Sequence, residues 1–209
     1  MKIKDLIVKE LKGLWGEEPK QGEENIPIIK TNNLSYEGKI NFNNITYRFI
    51  EKHNVIGNKL IYGDLLIEKS GGTKSHSVGY VNFFESENEK YVCNNFILAL
   101  RPNKNLVIPK YLFYNLKFFY ESGFFSDCYN KTTGIQNLKK EKYLNKEIKI
   151  YNLETQKEIV TFLDMITNNL SVVKNRLFIL DELIKSRFIE MFETIDLSEE
   201  RLDWIELGD

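Results

Sequence analysis

The sequence predicts an α+β fold, in which a domain with a twisted mixed sheet and flanking helices precedes one long C-terminal α-helix. Strand-like apolar segments dominate the first half of the chain and helical patterns follow them. From residue 159 to residue 184, apolar residues recur at alternating spacings of four and three, the pattern of a coiled coil. Charge also divides the chain: residues 1–151 carry 23 Lys and Arg against 17 Asp and Glu (net +6), and residues 152–209 carry 6 against 13 (net −7).

The first part of the chain is expected to be mostly strands. Residues 2–14 are the exception, since near-helical apolar spacing that is closed by Gly13 and Gly16 predicts a helix there. Strand patterns bounded by turn residues occur at residues 26–30, 39–50, 60–67, 78–84 and 91–100. Pro109 suits the first turn of a helix, and Gly123 is expected to stop that helix.

Residues 154–192 predict one helix, about 60 Å long at about 1.5 Å per residue. Because its apolar seam extends beyond what one small domain can cover, it should pack against another long helix. Arg187 falls where the seam calls for an apolar residue, so the coil is expected to end near Ile184. The seam consists of Ile159, Leu163, Ile166, Leu170, Val173, Leu177, Leu180 and Ile184.

Composition favours a cytoplasmic protein with a sizeable core. Hydrophobic residues make up 42% of the chain and aromatic residues 13%. No uncharged apolar run reaches the roughly 18 residues of a membrane span, and charges interrupt the first ten residues, so no signal peptide is predicted. Cys93 and Cys128 lack paired spacing and are expected to be reduced, buried thiols.

Enzyme signatures are missing from the sequence. There is no G-x-S-x-G, P-loop or G-x-G-x-x-G motif, and His53 and His76 lie in separate polar stretches that predict no metal site. A small metal-dependent nuclease that uses Asp64 and Glu68 stays open, since carboxylates and a lysine around Mg²⁺ can activate water. The simpler interpretation of Asp64 is a turn residue.

Two polar segments contain residue types that contact DNA. Residues 68–76 combine two glycines, three hydroxyl residues and two lysines, which suit phosphate contacts, but a plain surface hairpin loop explains them equally well. Gln136 and Asn137 can bind adenine through two hydrogen bonds. Thr133-x-x-Gln136 also fits a helix capping box, the better explanation from these residues alone. Turn or strand-end roles suit Asn32, Asn33, Asn94 and Asn95.

These stretches, in this order, resemble the specificity (S) subunit of type I restriction–modification enzymes. The residues that carry the resemblance are Gly63-Asp-Leu-Leu-Ile-Glu-Lys-Ser-Gly-Gly72, Val78-Gly79, Asn94-Asn-Phe, Leu100-Arg-Pro102, Pro109-Lys-Tyr-Leu112, Thr132-Thr-Gly-Ile-Gln-Asn-Leu138, Leu153-Glu-Thr-Gln-Lys-Glu-Ile-Val160 and Phe162-Leu-Asp164. The resemblance implies a target recognition domain at residues 1–151 and a coiled-coil spacer helix at residues 152–193. It also implies that residues 194–209 are a tail similar to the start of a second recognition domain.

In that family, two such units read the halves of a split DNA site and their long helices pack antiparallel. Methyltransferase and restriction subunits dock on the assembly. The resemblance implies no catalytic residue, metal or cofactor on this chain, and S-adenosylmethionine, ATP and Mg²⁺ are expected on the partner subunits. The DNA contacts it implies are Lys30, Asn32, Asn33, Lys69, Ser70, Gly71, Gly72, Thr73, Lys74, Ser75, His76, Asn94, Thr132, Thr133, Gly134, Gln136, Asn137 and Lys139.

The sequence departs from the family pattern in three places. Tyr151-Asn-Leu-Glu-Thr-Gln156 replaces a proline-rich Pro-Pro-Leu-Glu-Glu-Gln, which predicts a less rigid linker. The opening signature of a recognition domain, Trp followed by Leu-Gly-Asp, occurs at the end of the chain as Trp204-Ile-Glu-Leu-Gly-Asp209. Only one domain and one helix are present. We therefore expect half of a specificity subunit, which dimerises through antiparallel long helices and recognises a symmetric split site.

Two other functions remain open beside DNA recognition. Mg²⁺-dependent cleavage that is lost in Asp64→Ala would establish the nuclease. A coiled-coil interaction protein without a DNA role would be favoured if Lys69, Lys74, Gln136 and Asn137 could all become Ala without changing a methylation pattern.

Overall fold

The structure, a computed structural model, describes residues 1–72, 76–88, 90–130 and 135–193, with the side chains of residues 192 and 193 excepted. The chain divides into two compact units, Met1–Val160 and Thr161–Asp209. The first unit contains the sheets and the short helices. The predicted tail, residues 194–209, lies outside the described residues.

The central sheet of the first unit has four antiparallel strands in the order β1 (Ile7–Leu11), β8 (Ile97–Pro102), β4 (Leu65–Glu68) and β6 (Val81–Phe83). All four residues of β4 are buried, including Glu68, which the sequence analysis placed in the polar segment 68–76. Because side chains alternate along a strand, Leu65 and Ile67 pack into one apolar cluster and Leu66 into another. The sheet therefore has hydrophobic core on both faces.

A second sheet contains β3 (Thr46–Phe49), β2 (Asn25–Ile29) and β7 (Val92–Cys93). β2 pairs antiparallel with β3 and parallel with β7. The predicted strand at residues 39–50 is thus confirmed only in its last part. Asn44 adopts a positive φ of 58°, a turn conformation that asparagine tolerates, and it ends the alternation before Thr46.

The predicted N-terminal helix is wrong. Residues Ile3–Leu6 form one 3₁₀ turn, and Ile7–Leu11 continue as strand β1, paired with β8. Ile3 and Leu6, which contributed to the helical spacing, are fully buried in the main apolar cluster. Pairing with a distant strand therefore overrides the local pattern.

Four helices are present in the described part of the chain: α1 (Lys52–Val55), α2 (Pro109–Glu121), α3 (Lys140–Leu144) and α4 (Leu153–Glu193). Pro109 occupies the first turn of α2 as predicted, and Gly123 follows the helix with a φ of 76°. The face of α2 packs on the sheet through Leu112, Phe113 and Leu116. Cys93 and Cys128 are buried free thiols, as expected.

The long helix is confirmed as the 41-residue α4. Side-chain hydrogen bonds hold the first turn of this helix. The Asn152 side chain accepts the Thr155 N–H at 2.8 Å, which caps the first turn. Gln156, fully buried, accepts the Ile108 N–H at 2.8 Å and donates to the carbonyls of Leu106 and Tyr151. The less rigid linker stays a prediction, and the structure shows that a side-chain cap and a buried amide hold the start of α4.

Beyond Val160, residues of α4 expose a large apolar surface. Leu170, Val173, Leu177 and Ile184 of the predicted seam are each more than half exposed. No helix within the described residues is long and apolar enough to cross a membrane.

Candidate nucleic-acid interface

The two polar segments that the sequence singled out meet in a small two-stranded sheet. Strand β5 (Ser70–Gly71) pairs antiparallel with β9 (Gln136–Asn137), with Ser70 opposite Asn137 and Gly71 opposite Gln136. The Ser70 hydroxyl donates to Asn137 Oδ1 at 2.7 Å. The Leu138 N–H donates to the Lys69 carbonyl at 2.8 Å. Segments more than 60 residues apart thus form one surface, which we call the β5–β9 platform, comprising residues 69–72, 76 and 135–139.

The capping-box interpretation of Gln136 is wrong. A capping-box glutamine belongs to the first turn of a helix, whereas Gln136 lies in β9 and α3 begins only at Lys140. Its Oε1 instead accepts the Val78 N–H at 3.3 Å across the platform. Asn137 is exposed at the surface, and its bond to Ser70 fixes the orientation of its amide.

The backbone conformation at Gly71 and Gly72 favours glycine. Gly71 has a φ of 136°, and a Cβ there would meet Glu68 Oε1 at 2.6 Å. Gly72 has a φ of 71°, and its Cβ would lie 3.2 Å from the Gln136 side chain. The positive φ at both positions would strain a residue with a side chain, so the paired glycines let the loop backbone lie close to Glu68 and β9.

Glu68 is a buried carboxyl group beneath the platform. Its side chain is 6% exposed and receives a hydrogen bond from the Gly72 backbone, while Oε2 has no hydrogen-bond partner within the described residues. Burial raises the pKa of Glu68 because the charged form loses its hydration, and the Gly72 bond offsets only part of this effect. Glu68 thus supports the loop from inside and is not itself on the surface.

Aromatic residues line one side of the platform. The rings of Tyr36 and His76 stack with centroids 3.6 Å apart and an angle of 18°, and Tyr80 lies 4.5 Å from Tyr36. The Tyr120 hydroxyl donates to the Ser77 carbonyl at 2.6 Å, and burial raises its pKa to about 12. Sequence reasoning missed Tyr36 and Tyr120, since nothing in their local pattern shows that α2 and residue 36 come together at His76.

Phe96 was also missed. Its carbonyl accepts the N–H groups of Lys69 at 2.8 Å and of Ser70 at 3.3 Å, so its backbone joins the edge of the platform. Its own N–H donates to Asn94 Oδ1 at 3.2 Å. The Phe96 side chain is nevertheless 54% exposed.

Several of the expected DNA contacts lie elsewhere. Asn33 and Asn94 are buried, and their amides bind backbone groups, as their turn interpretation predicted. We therefore leave both out of the interface. Asn32 is exposed and Lys30 half-buried at a separate 3₁₀ turn, whereas Lys139 is exposed two residues after the end of β9. Thr73, Lys74, Ser75, Thr132, Thr133 and Gly134 lie outside the described residues.

Asp64, the carboxylate that the nuclease hypothesis would use, already accepts hydrogen bonds from Arg101 and Ile61. Asp64 is fully buried, and Arg101 donates to its two oxygens at 2.8 and 2.7 Å, while the Ile61 N–H also donates to it. Asp64 is thus a turn residue, as the simpler interpretation held, and also an ion-pair partner of the core. No cluster of three or more metal-ligating side chains occurs among the residues that the structure describes.

Comparison with known proteins decides the family. Residues 1–178 match the type I restriction modification DNA specificity domain. The chain belongs to this family. It is 26% identical over 196 residues to a Methanocaldococcus jannaschii protein described as the specificity subunit of the type I restriction enzyme MjaX, covering 90% of this chain and 45% of that protein.

Two solved structures share the fold of this chain. The HsdS subunit from Thermoanaerobacter tengcongensis superposes with a TM-score of 0.58 at 15% identity, covering 97% of this chain and 50% of its own. A chain from a study of complex assembly and conformational transition of the type I R–M system superposes with a TM-score of 0.64 at 13% identity, with the same coverage. The chain therefore spans about half the length of the relatives it matches.

Proposed function

We propose that this chain is a non-catalytic specificity subunit of a type I restriction–modification system and reads one half of a split DNA site. The observation that carries the proposal is the family match across residues 1–178, which include both the sheets and most of α4. The platform supports it, because it gathers exposed polar side chains from two distant segments onto a rigid base.

Direct readout is assigned to the platform. Asn137 offers the amide pair that matches adenine in the major groove, worth about 1–3 kcal/mol of discrimination. Lys69, His76 and Lys139 supply the positive or hydrogen-bonding groups that position a phosphate backbone. The net charge of +6 on residues 1–151 favours DNA on this part of the chain.

The apolar seam of α4, whose residues occupy heptad positions a and d, is proposed as a dimer interface. Ile166, Leu170, Val173, Leu177, Leu180 and Ile184 are between 38% and 66% exposed. A row of apolar side chains this long is costly in water and suits an antiparallel copy of the same helix. Two copies related by a two-fold axis would read a symmetric split site.

A second apolar row on α4 is proposed as the methyltransferase dock. Phe162, Met165, Val172, Ile179 and Leu183 are 49–58% exposed and lie on heptad positions c and g, outside the a/d seam. One helix with two apolar rows can contact two helical partners at once. Because this row remains after dimerisation, it is the available surface for a methyltransferase subunit, on which the restriction subunit would assemble.

Single-molecule mapping of methylated adenines tests the proposal. In cells that carry the methyltransferase with this chain, we expect methylation at one split motif with two identical halves. In cells that lack this chain, methylation at the motif should disappear. Equal methylation with and without the chain would contradict the function, and an asymmetric motif would contradict the homodimer alone.

A further inference from the structure

We propose that Phe96 is a specificity-determining residue that contacts the methyl group of a thymine beside the β5–β9 platform. The inference rests on the proposed DNA-recognition function. The observation behind it is a hydrogen-bonded backbone that presents a large apolar ring to water beside the platform. The Phe96 side chain is 54% exposed.

Three hydrogen bonds fix the backbone of Phe96. Its carbonyl accepts from Lys69 and Ser70, and its N–H donates to the side chain of Asn94, which is itself buried. The Ile97 N–H, which donates to the Asn94 carbonyl at 3.2 Å, closes the same turn. Asn94 therefore acts as a positioning residue: it does not face DNA but holds the turn that carries Phe96.

The position of this turn places Phe96 among the proposed readout groups. Ser70, which donates its backbone N–H to Phe96, also donates its hydroxyl to Asn137. Through Ser70, two hydrogen bonds connect the backbone of Phe96 to the Asn137 amide that is proposed to bind adenine. A structural role in the core does not explain the ring, because it makes no aromatic contact within the described residues and is half in solvent.

The chemistry of the ring selects the ligand group. A phenylalanine has no donor or acceptor, so it cannot read the hydrogen-bonding pattern of a base edge. The apolar group that a base presents in the major groove is the C5-methyl of thymine. Adenine readout by Asn137 also takes place in the major groove, so both residues can act on the same or neighbouring A·T pairs.

Substitution of thymine by uracil tests the inference, since it removes only the methyl group. The assembled complex with its methyltransferase is titrated with duplexes that carry the mapped motif, in which each thymine is replaced in turn by deoxyuridine. At one thymine per half-site, the wild-type complex should bind about fourfold more weakly, the effect of one buried methyl group. The Phe96→Ala complex should bind the thymine duplex at least fourfold more weakly than wild type and should not distinguish the two duplexes.

Phe118→Ala is the matched control, because Phe118 is a phenylalanine of similar exposure on α2, outside the platform. It should keep the wild-type preference for thymine. A motif at which no thymine-to-uracil change matters, or a Phe96→Ala complex that keeps the preference, would overturn the inference and leave the proposed function intact. Loss of methyltransferase assembly in Phe96→Ala would also overturn it, in favour of a protein contact. If no motif is methylated at all, the proposed function fails and this inference with it.

Discussion

Glu68 shows how a buried residue supports a surface site. Its carboxyl group packs against Gly71, accepts from Gly72 and underlies the loop that pairs with β9. A carboxylate at this place lacks full hydration, so the protonated form is favoured. Ionisation of Glu68 is therefore expected to destabilise the loop that it supports.

Glu68→Gln should reduce the loss of stability that occurs as pH rises above the ordinary pKa of glutamate. Because the folded-state pKa of Glu68 is raised, its protonated form contributes stability that is complete below the ordinary pKa of glutamate and is lost as pH rises through the raised value. Glutamine keeps an acceptor for Gly72 but does not ionise. Urea denaturation at pH 5 and pH 8 should show a smaller difference in unfolding free energy for the variant.

The two proteins share every other titrating group, so the comparison isolates Glu68. Asp127, whose pKa is lowered mainly by hydrogen bonds from Lys146 and Lys142, loses its contribution only as pH falls below the ordinary range of aspartate, outside the interval from pH 5 to pH 8. An equal pH dependence in Glu68→Gln and wild type would show that burial of Glu68 does not influence stability.

At the scale of elements, the start of α4 depends on one buried amide. Gln156 joins Ile108, the residue before α2, to the first turn of α4. Gln156→Ala should destabilise the protein on the order of 3 kcal/mol, because the Ile108 N–H and the Leu106 carbonyl lose a buried partner. Denaturant unfolding measures this loss. Glu158 is exposed two residues later, and Glu158→Ala should change stability by less than about 0.5 kcal/mol. Equal losses of stability in Gln156→Ala and Glu158→Ala would show that the Gln156 amide does not stabilise the start of α4.

The apolar seam of α4 makes a separate prediction about oligomeric state. Leu170→Glu or Leu177→Glu should convert the dimer to monomer, since each would bury an unpaired carboxylate at a cost of several kcal/mol. Light scattering at tens of micromolar measures the mass. Asn175→Glu, exposed outside both apolar rows, should remain dimeric. A wild-type chain that is monomeric under these conditions would contradict the homodimer.

The sequence predicted those elements whose signals are local. The heptads of α4, Pro109 at the start of α2 and the apolar run of β4 each lie within one continuous segment. β1 was mistaken for a helix because its identity depends on pairing with β8, far along the chain. Strands β5 and β9 have two residues each, too few for any periodicity, and only their mutual contact defines them.

The candidate site was predictable to the same extent. Residue types indicated Ser70, Gln136 and Asn137, but not that they pair with one another. Asn94 is a residue type that can contact DNA, but it is buried here. Its side chain accepts the Phe96 N–H and holds a turn, which the local sequence does not reveal. Phe96 carries no polar side-chain group and so gave no signal for DNA, although its backbone bonds to Lys69 and Ser70 of the platform.

For the whole molecule, the salt dependence of DNA affinity should distinguish residues that contact phosphate from residues that read bases. Lys139→Ala should weaken binding of DNA by the methyltransferase complex at every sequence and lower the slope of log K against log salt by about one, as expected for one lost phosphate contact. Titrations at several salt concentrations measure the slope. A Lys139→Ala complex that retains the full slope would show that this lysine does not contact phosphate.

Mapping of methylated adenines with the Asn137→Ala variant tests whether the β5–β9 platform reads DNA bases. Asn105→Ala, an exposed asparagine in the loop before α2, is the matched control. We predict that the Asn137→Ala complex methylates a motif relaxed at one base pair in each half-site, whereas Asn105→Ala keeps the wild-type motif. An unchanged motif for Asn137→Ala, at wild-type levels of folded complex, would show that the platform does not read bases through Asn137.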